Sequence, residues 1–106
     1  FQDITLILFF FVSIFYFIHI YIMDKELYKP FVSKAKNKKY SVYVLKNGKK
    51  RLIHFGDKRY QQFKDKLGHY ASLNHNDKKR KELYYKRHGK SNDKNSAKYW
   101  ANRILW

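Results

Sequence analysis

All 24 lysines and arginines of this chain lie beyond Met23, and the residues before it carry one formally charged side chain, Asp3. That partition splits the 106 residues into pieces that cannot share one fold. From Ile4 to Ile22 only Thr5, Ser13 and His19 interrupt an apolar run. As a helix rising about 1.5 Å per residue it would span roughly 28 Å, close to the ~30 Å hydrocarbon core of a bilayer. One reading is therefore a membrane anchor, because the basic n-region and small-residue cleavage site of a secretory signal are missing. Lys25, Lys29, Lys34, Lys36, Lys38 and Lys39 would then hold the following body at the cytoplasmic face. The competing reading is upstream translation ahead of a true start at Met23. Lys outnumbers Arg 19 to 5, and Phe, Ile, Tyr and Asn abound, as AT-rich codons would give. On either reading residues 1–22 stand apart, 23–39 form a basic leader, and 40–106 form a small basic domain.

Composition narrows the partners. Residues 23–106 hold all the basic groups against seven acidic ones, a net of +17. Such an excess points to a polyanion: nucleic acid, an anionic membrane or an acidic protein. With no cysteine, a disulfide framework, a thiolate zinc site and cysteine catalysis are excluded. At 20% aromatic residues the chain is too rich in core formers for a disordered basic tail.

The local signals predict an α+β fold of one β-hairpin and about three short helices. Tyr40–Leu45 and Lys50–Phe55 are rich in β-branched and aromatic residues and flank Asn47-Gly48. That dipeptide accepts the positive φ angles of a two-residue hairpin turn. Tyr40, Val42 and Val44 would share one face, and Ser41, Tyr43 and Leu45 the other. Asp57 would cap a helix over 58–67, with Tyr60, Phe63 and Leu67 at helical spacing and Gly68 as its stop. Residues 69–76 read as a loop. A second helix over 77–88 is capped by Asn76 or Asp77 and stopped by Gly89, and a polar linker covers 91–95. Ser96 caps a terminal helix in which Ala97, Trp100, Ala101, Ile104 and Leu105 follow the i, i+3, i+4, i+7, i+8 pattern. A lone hairpin is marginal, so the Trp100/Ile104/Leu105/Trp106 cluster is its expected cover.

Helix 77–88 carries the strongest functional signal. Lys78, Lys79, Arg80, Lys81, Lys86 and Arg87 outnumber Asp77 and Glu82, with Tyr84 and Tyr85 between them. A merely solvated helix mixes signs to avoid repulsion between neighbouring turns; this one suits a phosphate backbone. Lys49, Lys50 and Arg51 beside the Asn-Gly turn would add to the same face. Asn74-His75-Asn76, with His88 thirteen residues on and His54 on the hairpin, faintly suggests an HNH-like metal-dependent nuclease. No second histidine with a supporting carboxylate stands at the needed place, and a cation at a helix C-terminus is favoured in any case. No acid–base pair, phosphate-binding glycine loop or nucleophile motif occurs, so no enzyme activity, metal or cofactor is expected.

The run Leu52 to Tyr60, the stretch His75 to Lys81 with Tyr84 to Gly89, and the close from Ser96 to Trp100 and Leu105-Trp106 resemble a family of small basic proteins. That family occurs in nucleocytoplasmic large DNA viruses and some tailed phages and has no established activity. The similarity covers about residues 38–106. It implies a viral source and, through the short lysine-rich leader of such proteins, a start at Met23. The resulting expectation is a viral accessory protein that binds nucleic acid, DNA rather than RNA, through phosphate contacts, in the virion or the infected cell. A minor virion component facing acidic proteins or an anionic membrane is the alternative.

Overall fold

The computed structural model describes residues 13–14 and 26–106. The expected anchor and the Met23 start therefore fall outside the described residues, Ser13 and Ile14 apart. Among the described residues no helix is long and apolar enough to cross a membrane. Asn47 (φ 53°) and Gly48 (φ 73°) both take the left-handed conformation. They close the hairpin between β2 (Lys38–Lys46) and β3 (Lys49–Asp57). A third strand, β1 (Phe31–Val32), joins the other edge of β2, giving an antiparallel sheet of order β1-β2-β3. Two helices follow, α1 (Lys78–His88) and α2 (Ala97–Ile104).

Alternation along β2 sets the core. Tyr40, Val42 and Val44 are fully buried and meet Phe55 of β3 and Trp100, Ile104 and Leu105 from the C-terminal helix and its exit. The terminal cluster thus covers the hairpin as its spacing predicted, with Trp106 packed against the edge of the core. Ser96 caps α2 by accepting from the Tyr99 N–H at 3.2 Å. Trp100 donates its indole N–H to the Lys94 carbonyl at 2.8 Å, which fixes the ring as well as burying it.

Two expectations are corrected. The sheet is not a lone hairpin: β1, within the basic leader, pairs with β2, and the Tyr28 N–H donates to the Tyr43 carbonyl at 2.8 Å. The Tyr28 hydroxyl also donates to Asn95 Oδ1 at 2.7 Å. Nor do residues 58–67 form a helix. Asp57 does start a turn, its side chain accepting from the Arg59 N–H and its carbonyl from the Tyr60 N–H. Beyond it the backbone groups are taken by distant partners. Gln62 exchanges bonds with Leu73 and His75, and the amides of Lys64 and Lys66 donate to the carbonyls of Leu105 and Ile104. The loop 69–76 itself holds a short 3₁₀ turn, Ala71–Leu73.

Buried side chains compel this course. Lys39 is 1% exposed and gives its ammonium to the Tyr60 carbonyl and Gln62 Oε1. Gln62, 0% exposed, donates to the Tyr70 carbonyl (2.8 Å) and Asn74 Oδ1 (2.6 Å). Asp65 receives the Tyr40 hydroxyl and the amides of Leu67 and Tyr70. Burial alone would raise the Asp65 pKa, but these donors outweigh it and hold the carboxyl below its usual value. Burial lowers the pKa of Lys39, against the pull of Asp65 and Asp57. A helix over 58–67 would leave these polar groups unpaired, at a cost of order 1–3 kcal/mol each.

Two substitutions measure how tightly the sheet and C-terminus fit. Trp100→Ala opens a cavity and orphans the Lys94 carbonyl; a loss of about 3–5 kcal/mol is expected, most of the stability of so small a domain. A denaturant midpoint within experimental error of the parent would contradict this. At Gly56 (φ 75°) an added Cβ would lie 2.7 Å from Leu105 Cδ1 and 3.0 Å from Lys39 Cδ. Gly56→Ala should cost about 1–3 kcal/mol from backbone strain alone, read from the same titration.

Candidate nucleic-acid interface

Helix α1 buries none of its residues. Its start is fixed by Asp77, whose carboxylate accepts from the amides of Lys79 (2.9 Å) and Arg80 (3.3 Å). Its end is set by Gly89 (φ 69°), whose N–H donates to the Tyr85 carbonyl. Two tyrosines attach it to the body. The Tyr84 ring lies flat on Trp106, with centroids 4.2 Å apart and planes 3° from parallel. The Tyr84 hydroxyl donates to Asn102 Oδ1 (3.1 Å) and the Tyr85 hydroxyl to the Asn102 carbonyl (3.2 Å). Burial raises the pKa of both phenols, so both are donors at neutral pH.

The six basic residues singled out on this helix do not act as one row. Arg80, Tyr84 and Arg87 fall at i, i+4 and i+7, on one face. They line an open recess of about 640 Å³ with Arg59, Tyr60, Gln61, His88 and Trp106. Lys78 and Lys81 turn the other way, toward Phe63, Glu82, Tyr85 and Lys90, around a second recess of about 480 Å³. There the Lys81 ammonium sits 4.6 Å from the Phe63 ring centre and Lys90 5.3 Å from that of Tyr85. Lys79 and Lys86, seven residues apart, are exposed and line neither recess. Among the described residues none of the six pairs with a carboxylate. The Arg80 guanidinium donates to the neutral Gln61 Oε1, at 2.9 Å.

The hairpin-tip cations stand elsewhere. Trp106, Tyr84 and His88 gather with Lys38, Gly56 and Asp57 at the open end of the hairpin. The Asn47-Gly48 turn is at the other end, roughly 26 Å away along nine-residue strands at about 3.3 Å per residue. Register also splits the three. Lys49 and Arg51 lie opposite Lys46 and Val44, on the face of Tyr40. Lys50 lies opposite Leu45 on the reverse face, its ammonium 4.7 Å from the Tyr43 ring centre.

Arg59, Tyr60, Gln61 and Trp106 were missed as site residues, because the expected helix over 58–67 assigned Tyr60 to an apolar stripe. A signal was present: in a chain this rich in lysine, three of the five arginines, Arg59, Arg80 and Arg87, line one recess. Arg59 is held by Asp57 through Nε (3.0 Å) and Nη2 (2.7 Å), and this pairing keeps the Asp57 carboxyl far below the usual carboxylate range. Beneath the recess His75 accepts the Asp77 N–H on Nδ1 at 2.9 Å. Its ring centre is 5.3 Å from that of Trp106. Its buried Nε2 finds no hydrogen-bond partner among the described residues. Ser33, Ser41 and His54 form a hydrogen-bonded group on the reverse face of the sheet, where both serines are buried. Among the described residues no group of three histidines or carboxylates is placed to hold a metal ion.

No protein-family model matches the chain, and neither the curated proteins nor the solved structures yield a significant match.

His75 gives the fold a pH response. Burial, then the nearby Arg80 charge, lowers its pKa below the ordinary 6.5, against the weaker pull of Asp77. The unfolded chain therefore takes up this proton first as pH falls. Stability from the neutral ring is full above about pH 6.5 and declines below it. Protonation would also end the bond to the Asp77 N–H at the start of α1. His75→Asn keeps an acceptor near Nδ1 and cannot titrate, so its melting temperature should fall less between about pH 7 and 5.5 than the parent's. Parallel curves would refute the assignment.

Proposed function

We propose that this chain is a nucleic-acid-binding accessory protein that grips the phosphate backbone through α1. The observation that carries the reading is a helix with no buried residue and six cations lacking a carboxylate partner among the described residues. Such a helix has surplus charge and nothing within the fold to spend it on. Lys78, Lys79, Arg80, Lys81, Lys86 and Arg87 supply the charge, and Lys49, Lys50 and Arg51 form a separate contact at the far end of the hairpin. Lysine contacts to phosphate position a protein without reading bases, so this binding is sequence-tolerant. DNA is the favoured polyanion, and the resemblance to small basic proteins of large DNA viruses and phages supports a viral source and packaging in the virion.

If α1 neutralises about six phosphates, log affinity for duplex DNA should fall with log salt at a slope near −5. Replacing Lys78, Lys79, Lys81 and Lys86 by alanine removes four of the six and should flatten that slope to about −2. Fluorescence anisotropy with a labelled duplex, titrated from about 50 mM salt upward, reads both values. Absence of binding at the lowest salt would end the proposal.

A further inference from the structure

The arginine-lined recess differs in kind from the lysines around it. A point charge is enough to hold a backbone phosphate, and lysine supplies that. A guanidinium fork instead matches phosphate oxygens in a plane, with two parallel donors. Arg80 and Arg87, one above the other on α1, both border this space. Opposite them, Tyr60 leaves 66% of its surface in water. Its backbone is nevertheless anchored, since its carbonyl accepts the ammonium of the buried Lys39 and its N–H donates to Asp57. The anchored backbone thus presents one face of an aromatic ring to the recess. Trp106, stacked on Tyr84, adds a second aromatic side chain to the lining. In the lysine-lined recess the rings of Phe63 and Tyr85 carry ammonium groups at 4.6 and 5.3 Å. The arginine-lined space of about 640 Å³ lies within the range of small-ligand sites, roughly 300–1,000 Å³.

Resting on the reading of the chain as a nucleic-acid binder, the geometry points to this recess as a seat for one unpaired nucleotide of a single strand, its base laid on an aromatic wall and its phosphate in the forks of Arg80 and Arg87. A duplex keeps its bases stacked within itself and cannot offer one to Tyr60, whereas every unpaired base has a free π-face. Arg59 has its fork committed to Asp57 and lies 5.8 Å from the Tyr60 ring centre. It orients that ring and leaves the phosphate to the other two arginines. A run of acidic side chains such as polyglutamate has the charge but no flat ring to stack, so it would leave Tyr60 unused.

The test compares single-stranded DNA of about 12 nucleotides with a duplex of equal length, using the full chain and its Tyr60→Ala and Arg87→Lys variants at about 100 mM salt. Tyr60 is mostly exposed and Arg87→Lys conserves charge, so both variants should fold, as a thermal melt verifies. Single-strand affinity should drop about tenfold in Tyr60→Ala and several-fold in Arg87→Lys, while duplex affinity stays unchanged in Tyr60→Ala. Single-strand binding should also quench Trp106 fluorescence, with buried Trp100 as the insensitive background. If the parent binds both DNAs and neither variant discriminates, the recess is not a nucleotide seat, yet backbone binding stands. Displacement of the single strand by polyglutamate at matched charge, with Tyr60→Ala indifferent, overturns the recess in favour of a generic acidic ligand. If the parent binds no DNA at all, both the inference and the reading beneath it fall.

Discussion

A buried polar knot between the sheet and the C-terminus determines where everything else can sit. Lys39 and Tyr40, adjacent on β2, reach out on opposite sides of the strand to Gln62 and Asp65. Those two residues share Asn74, whose Oδ1 accepts from the Gln62 side-chain amide and the Asp65 backbone N–H. The knot thus ties three stretches of chain to the sheet: 60–66, 70–75 and, through the amides of Lys64 and Lys66, the end of α2. Each of these groups, left unpaired inside the fold, would cost more than a made hydrogen bond returns. The arrangement is therefore close to all-or-none, and Gly56 is needed where Lys39 and Leu105 crowd the backbone.

From that frame the position of α1 follows by short steps. The Leu105 carbonyl is held by Lys64, which sets the position of Trp106 immediately after it. Trp106 receives the flat face of Tyr84, and Asn102 receives the two tyrosine hydroxyls. The exit from the knot at His75 and Asn76 delivers the chain to Asp77, the cap of α1. Helix α1 is therefore positioned at its start and along one side while its cations remain in water. The turn at Asp57 places Tyr60 beside the same helix, so a single device serves both the lysine rows and the arginine recess.

What the sequence made legible was local. The Asn47-Gly48 turn, the caps Asp77 and Ser96, the stop at Gly89 and the alternation Tyr40/Val42/Val44 each depend on residues a few positions apart. Each of these is present in the structure. Strand β1 was illegible because two residues after Pro30 have no room for a pattern; their pairing is decided by the edge of β2. The segment 58–67 misled for a related reason. Tyr60, Phe63 and Leu67 have helical spacing, but Gln62 and Asp65 find partners twelve and twenty-five residues away, and those bonds override the weak local preference. The basic residues of α1 were found by composition alone. Their division into an arginine face and a lysine face needed only the helical period, whereas the recess needed the knot that brings Tyr60 and Trp106 to it.

The charge on α1 is itself an argument about what the helix is for. Its first turn carries Lys78, Lys79 and Arg80 against the positive end of the helix dipole, with the Asp77 cap as the nearby counter-charge. Lys78 and Lys81 repel at i, i+3, and of the exposed carboxylates only Glu82 lies within the helix. Only the last turn, with Lys86, Arg87 and His88, suits the dipole. No apolar face buried against the sheet offsets this strain; two tyrosines and one stacked tryptophan hold the helix instead. A helix so arranged is less stable alone than beside a line of negative charge, because phosphates placed along it turn each repulsion into an attraction. Salt acts on the free helix in the opposite sense to any bound polyanion's loss of grip: it screens the repulsions within α1 and so relieves this strain.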